Sequence, residues 1–204
     1  MTLELLLAFV LFAFVTSVTP GPNNMMLLAS GVNFGVRRSL PHLLGISLGF
    51  MILVMAVGLG LGQLFEQFPP LYGALRYGGA AYLLYLAWKI AGSGAPDATG
   101  NEQGKPFTFL QAAAFQWVNP KAWIMAIGAI TTYTPQDGFL VNVLLIAALF
   151  ALVNCPTCGL WAMAGSLLRR WLERPAVLRG FNIGMALLLV ASLYPILIDV
   201  KGTF

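Results

Sequence analysis

Two prolines flank a glycine in Thr19-Pro20-Gly21-Pro22-Asn23-Asn24, inside an otherwise apolar stretch. A second interruption, Asn119-Pro120-Lys121, lies inside another. Proline has no N–H to donate and crowds the turn before it, so each sequence opens a helix and frees backbone N–H and C=O groups. In lipid such groups must face protein or a wet cavity. An opened helix also presents a positive dipole end to an anion. Lys121 adds a charge where insertion costs about 2.5–3.5 kcal/mol. The seven acids, Glu4, Glu66, Asp97, Glu102, Asp137, Glu173 and Asp199, all fall in loops or at span ends. Lys121 therefore has no carboxylate partner at depth. Three states are open to it: uncharged, satisfied by opened carbonyls, or paired with an anionic ligand such as a carboxylate. The competing structural role is snorkelling to an interface.

Asn23, Asn24, Asn119 and Asn154 are the other strongly polar residues at depth. Amides donate and accept, as a zwitterion's carboxylate and ammonium require; the alternative is helix–helix bonding, which is the favoured reading for Asn154 alone. The candidate ligand-binding set is thus Thr19, Pro20, Gly21, Pro22, Asn23, Asn24, Asn119, Pro120, Lys121 and Asn154. Asn154 begins Asn154-Cys155-Pro156-Thr157-Cys158, a CxxC that invites redox or metal chemistry. Its flanks are apolar and carry no histidine or acid. Small residues around a proline kink are the preferred reading, with a transmembrane thiol oxidoreductase as the alternative. The single histidine, His42, reads as a loop or interface residue at the start of a span, with a proton carrier as the alternative.

Composition sets the environment for these residues. The 204 residues are 59% hydrophobic and 9% charged. A soluble surface needs roughly 25–35% charge. An ordinary soluble enzyme, a disordered chain and a nucleic-acid binder are excluded, and an all-α integral membrane protein remains. The N-terminus lacks a basic leader region and reads as a retained first helix.

Six stretches reach the roughly 20 apolar residues a crossing needs: 5–32, 43–65, 71–91, 107–132, 139–168 and 181–198. The first and fourth contain the two interruptions. Residues 92–106 form a polar linker. Tyr72, Trp88, Tyr133 and Trp171 read as interface anchors. Gly45 and Gly49 form a GxxxG for close packing within or between chains. Eight of the eleven basic residues (Arg37, Arg38, Lys89, Lys105, Arg169, Arg170, Arg174 and Arg179) fall in or beside loops on one side. The positive-inside rule makes that side cytoplasmic and puts both termini outside.

Three spans in residues 1–91 and three in 107–204 make two repeats within one domain. An odd number per repeat inverts the second relative to the first. Proline-interrupted helices in corresponding positions of inverted repeats mark a substrate site near the midplane.

These stretches together resemble a known family. TPGPNN, GISLGF, AAYLLYLAWKIA and FQWVNPKAW, in that order over nearly the whole chain, are similar to the LysE/RhtB family of bacterial amino-acid exporters, most of all to its cysteine and O-acetylserine branch. CPTC is not part of that pattern. The resemblance implies six helices in the cytoplasmic membrane, a small amino acid or derivative as substrate, and export driven by the proton gradient. From the residues themselves, no Walker motif predicts ATP hydrolysis. No cofactor, metal or nucleic acid is expected; the bilayer and the substrate are the expected partners, and homo-oligomerisation is open.

Overall fold

The computed structural model describes residues 1–61, 67–93, 104–172 and 174–194. The middle of the expected linker, Glu66, Glu173, Lys201, the end of the sixth span, and the side chains of Tyr72 and Arg76 lie outside the described residues. All regular structure described is helical: α1 (Leu3–Val18), α2 (Pro22–Ala56), α3 (Pro69–Ala91), α4 (Phe109–Gln116), α5 (Pro120–Tyr133), α6 (Phe139–Leu168) and α7 (Pro175–Ala191). A π-helical turn, Val57–Leu61, extends α2, and a 3₁₀ turn, Arg169–Trp171, ends α6.

Four of these helices begin on a proline: Pro22, Pro69, Pro120 and Pro175 stand in their opening turns. There the missing N–H is no loss and the fixed φ suits the helix. This corrects the two expected interruptions. Only residues 19–21 and 117–119 are non-helical; Pro22, Asn23 and Asn24 open α2, and Pro120 and Lys121 open α5. The same effect starts α7 at Pro175, six residues before the expected sixth span.

α2 is one element by hydrogen bonding but two by direction. Gly35 has φ 77°, a left-handed conformation that favours glycine. Ser30 Oγ lies 2.7 Å from Ser39 Oγ. Nine residues of continuous helix would separate them by about 13.5 Å, so the chain folds back at Gly35 into two arms, 22–34 and 36–56. The expected loop carrying Arg37 and Arg38 is therefore a one-residue turn. Both arginines lie in the opening turn of the second arm, with the Arg38 guanidinium 5.6 Å over the Phe34 ring.

α2 packs along α6, and α4 packs on α2. α1 packs on α6, and α3 on α7. Small residues set the closest approaches. A Cβ on Gly49 would fall 2.6 Å from Ala113 Cα, and one on Gly79 would fall 2.7 Å from the Val118 carbonyl oxygen. The GxxxG thus serves α4 of the same chain. A core of Phe9, Phe50, Phe150 and Met125 ties α1, the second arm of α2, α5 and α6 together, with Phe50 and Phe150 edge-on at 4.7 Å.

The outer surface is apolar. Leu7, Leu11, Leu110, Leu144, Leu152, Leu187, Trp88 and Trp171 are all exposed. A surface of that kind belongs against lipid rather than water. The stretches Pro22–Leu61 and Phe139–Trp171 are each long and apolar enough to cross a membrane, the first being folded at Gly35.

Candidate functional site

The two breaks face each other. At the first, α1 ends and Thr19 turns extended (φ −63°, ψ 140°), as does Gly21 (φ −176°, ψ 176°). Gly21 gives α2 no side-chain cap. The first intrahelical bond runs from the Met25 N–H to the Gly21 carbonyl at 2.9 Å, so the N–H groups of Asn23 and Asn24 precede the ladder. At the second, Asn119 Oδ1 accepts the Lys121 N–H at 3.2 Å and caps α5. The Lys121 side chain then reaches across to the first break. Its ammonium donates to the Thr19 carbonyl at 2.8 Å, to Thr19 Oγ1 at 2.8 Å and to the Pro20 carbonyl at 3.4 Å. Of the three states open to the lysine, the structure displays satisfaction by opened carbonyls. Gly21 makes room for it: a Cβ there would fall 2.9 Å from Lys121 Cδ and 3.2 Å from Nζ.

A second polar link joins the breaks. Asn23 and Gln116 exchange amide bonds, Asn23 Nδ2 to Gln116 Oε1 at 2.8 Å and Gln116 Nε2 to Asn23 Oδ1 at 3.1 Å. Asn24 Nδ2 donates to the carbonyls of Ser17 and Thr19 at 2.8 and 2.9 Å. Cys158 Sγ donates to Asn24 Oδ1 at 3.3 Å. Asn154 donates to Ser17 Oγ at 3.1 Å and accepts from Ser47 Oγ at 3.2 Å.

These groups surround a cavity of about 20 Å³, room for one water-sized molecule. Gly21, Asn23, Asn24, Asn119, Lys121 and Asn154 line it. Thr19 and Pro20 take part through the oxygens that hold Lys121. Pro22 and Pro120 serve from outside the wall, as helix starters. Thr16, Ser17, Phe50, Gln116, Met125 and Cys158 also line it and were not in the sequence-derived set. Gln116 carried a readable signal, being an amide inside an apolar stretch three residues before Asn119, and the structure buries it fully. Ser17 sits near the end of α1, four residues before Gly21, and differs in no visible way from other serines of the chain.

Cys155 and Cys158 are free thiols. The expectation of small buried residues beside a kink describes Cys158, which is buried; Cys155 is half-buried. Among the described residues no three of His, Cys, Asp and Glu gather where they could hold a metal ion.

Residues 14–192 match the family described as LysE type translocator. The chain belongs to the LysE family. Among its LysE-type relatives are the cysteine/O-acetylserine efflux proteins of Escherichia coli strain K12, Escherichia coli O9:H4 strain HS and Shigella sonnei strain Ss046. Each is 38% identical over 192 residues, which is 93% of this chain and 96% of the relative. No solved structure matches the chain. A LysE translocator is a membrane transporter and not an enzyme, so the thiol oxidoreductase alternative is set aside.

Proposed function

We propose that this chain exports a small neutral amino acid or derivative, of the cysteine and O-acetylserine kind, across the bacterial cytoplasmic membrane in exchange for protons. The observation that carries the reading is the Lys121 ammonium, held by the opened carbonyls of Thr19 and Pro20 beside an uncapped helix N-terminus. A substrate carboxylate has two partners here: the ammonium, and the free N–H groups opening α2. When Lys121 turns to the carboxylate, the carbonyls of Thr19 and Pro20 are released. They are then available to the substrate ammonium, so a zwitterion replaces the contacts it breaks. Asn23, Asn24, Asn119 and Asn154 supply the remaining donors and acceptors. The cavity is smaller than any amino acid, so loading draws the two breaks apart.

The same reading assigns residues 1–91 and 107–204 to two inverted repeats of three spans, joined by a cytoplasmic linker at 92–106, with both termini outside. Three features support it. The break falls in the first helix of each half. The third helices of the halves, α3 and α7, pack together. The opening half-helix of each half packs on the second helix of the other: α1 on α6, and α4 on α2.

Counterflow in vesicles tests the function. Vesicles loaded with unlabelled cysteine, O-acetylserine, serine or lysine are given the radiolabelled compound outside. Uptake with the first two and none with lysine is expected; uptake with lysine alone would overturn the substrate class. Labelling single cysteines at positions 37, 105 and 170 in intact cells tests the topology. Ready labelling from outside at two of the three would overturn it.

A further inference from the structure

His42 is the only histidine in the chain. It stands in the second arm of α2, one turn before Gly45, and is fully buried. Neither ring nitrogen has a hydrogen-bond partner. A neutral imidazole carries one donor and one acceptor, and a buried, unmet polar group costs about 1–3 kcal/mol. The ring meets Phe107 edge-on, with centroids 5.1 Å apart. Lys89 Nζ, from α3, lies 4.6 Å over the same Phe107 ring. Phe107 leads into α4, whose Ala113 presses on Gly49 of the arm that bears His42. His42 therefore sits in the joint between α4 and α2.

The charged and titratable groups around this joint, among the described residues, are basic, thiol or phenol: Tyr82 and Tyr85 of α3 hydrogen-bond the carbonyl and the side-chain amide of Gln111 in α4. Lys89 faces it across Phe107, and Arg38 lies one turn earlier on the same arm. From α6, Cys155 and Cys158 belong to the apolar cluster of Leu43 and Ile46. Lys105 precedes Phe107. Asp137 lies before α6, about 30 Å along that helix from Gly159, the residue that meets Leu43. Glu4 opens α1, whose Phe9 packs on Tyr133 near Asp137.

Resting on the export reading, we propose that His42 is the positioning residue through which a proton enters the transport cycle. Its ring takes a proton from outside water only when α4 lifts from α2, and must give that proton to cytoplasmic water before α4 closes, so each cycle carries one proton inward. The closed joint has no acceptor for a second ring N–H and no carboxylate among the described neighbours to balance a second cation beside Lys89. Histidine is the side chain whose charge ordinarily changes in the physiological range. α4 supplies the link to the site. It is eight residues long, about 12 Å, with Phe107 and His42 at one end and the Gln116–Asn23 amide pair at the other. Lifting one end pulls on the pair beside the cavity.

Purified protein in phosphatidylethanolamine–phosphatidylglycerol vesicles tests this with radiolabelled cysteine. His42→Asn is expected to keep counterflow at equal pH on both sides. It should lose cysteine movement driven by a pH gradient, and cysteine-evoked proton flux, to the level of protein-free vesicles. Gradient-driven movement persisting in His42→Asn overturns the proposal, as does a wild type that exchanges cysteine but ignores the gradient. A wild type with no counterflow of any amino acid overturns the export reading itself. Should His42→Asn fail to assemble, the single-histidine spectrum decides. With isotope-labelled histidine, the pH midpoint of the wild-type ring resonance should shift when cysteine is added, and an unmoved midpoint overturns the proposal.

Discussion

The two helix breaks use the same proline device and end in different states. The second is closed on itself. The N–H groups of Trp117 and Val118 bond back to the carbonyls of Ala114 and Phe115 at 3.2 and 3.1 Å, and Asn119 caps the helix that follows. Trp123 Nε1 donates to the Trp117 carbonyl at 2.8 Å. The first break borrows its partners. Its carbonyls are held by Lys121 from the other break and by Asn24 from the helix beyond it, and its N-terminus has no cap. A self-satisfied break is a fixed mount, and a break satisfied by removable side chains is a socket. The lysine rides on the mount and rests in the socket.

The largest expected effect comes from emptying the socket. Lys121→Met and Lys121→Gln should reduce counterflow to the background of protein-free vesicles while membrane insertion stays normal. Lys121→Arg keeps the charge but puts a planar fork against Gly21, and should recover only part of the activity. Wild-type counterflow in Lys121→Met would show that the breaks differ without functional consequence.

Gly21→Ala should come next. The added Cβ meets the lysine side chain at 2.9 Å, and overpacking of this kind costs about 1–3 kcal/mol, roughly five- to 150-fold in an equilibrium. Because Gly21 is extended rather than left-handed, the loss should come from the displaced lysine. A raised half-saturating concentration of cysteine, with little change in detergent melting, would show this. A large fall in melting temperature with unchanged transport would place the glycine's role in folding instead.

Asn119→Ala makes the second break resemble the first by removing its cap. Loss of an N-cap costs about 1 kcal/mol, so melting should fall modestly and transport less than in Gly21→Ala. Asn119→Ser should restore most of the stability through its own capping oxygen. The smallest effect is expected outside both breaks. Cys155→Ser with Cys158→Ser keeps a donor for Asn24 Oδ1 and should transport close to wild type. Loss of transport at normal expression would give the thiols a part in the socket.

Much of this arrangement was legible in the residues. The two breaks, the polar groups beside them and the isolated lysine all stand out because the surrounding chain is so apolar. Lys121 could be marked as needing a partner, since no acid lies at depth. What it touches could not be read, because Thr19 and Lys121 are 102 positions apart and nothing local aligns them. Gly35 shows the same limit at short range. The glycine is visible, but a hairpin and a loop differ only in whether Ser30 and Ser39 meet. His42 read as a loop or interface residue because its neighbours in sequence are arginines and a proline. Phe107 and Lys89, which enclose it, arrive from distant segments.

The sequence by itself determined the environment, the helical content and the placing of the breaks. Those follow from local physics: 9% charge cannot clothe a soluble surface, backbone groups in lipid must pair within helices, and proline starts helices more readily than it continues them. Tertiary structure alone decided which break is open. That depends on which side chains reach across to which carbonyls, and so on how closely the helices approach. Glycine contacts such as Gly49 on Ala113 and Gly21 under Lys121 set those distances.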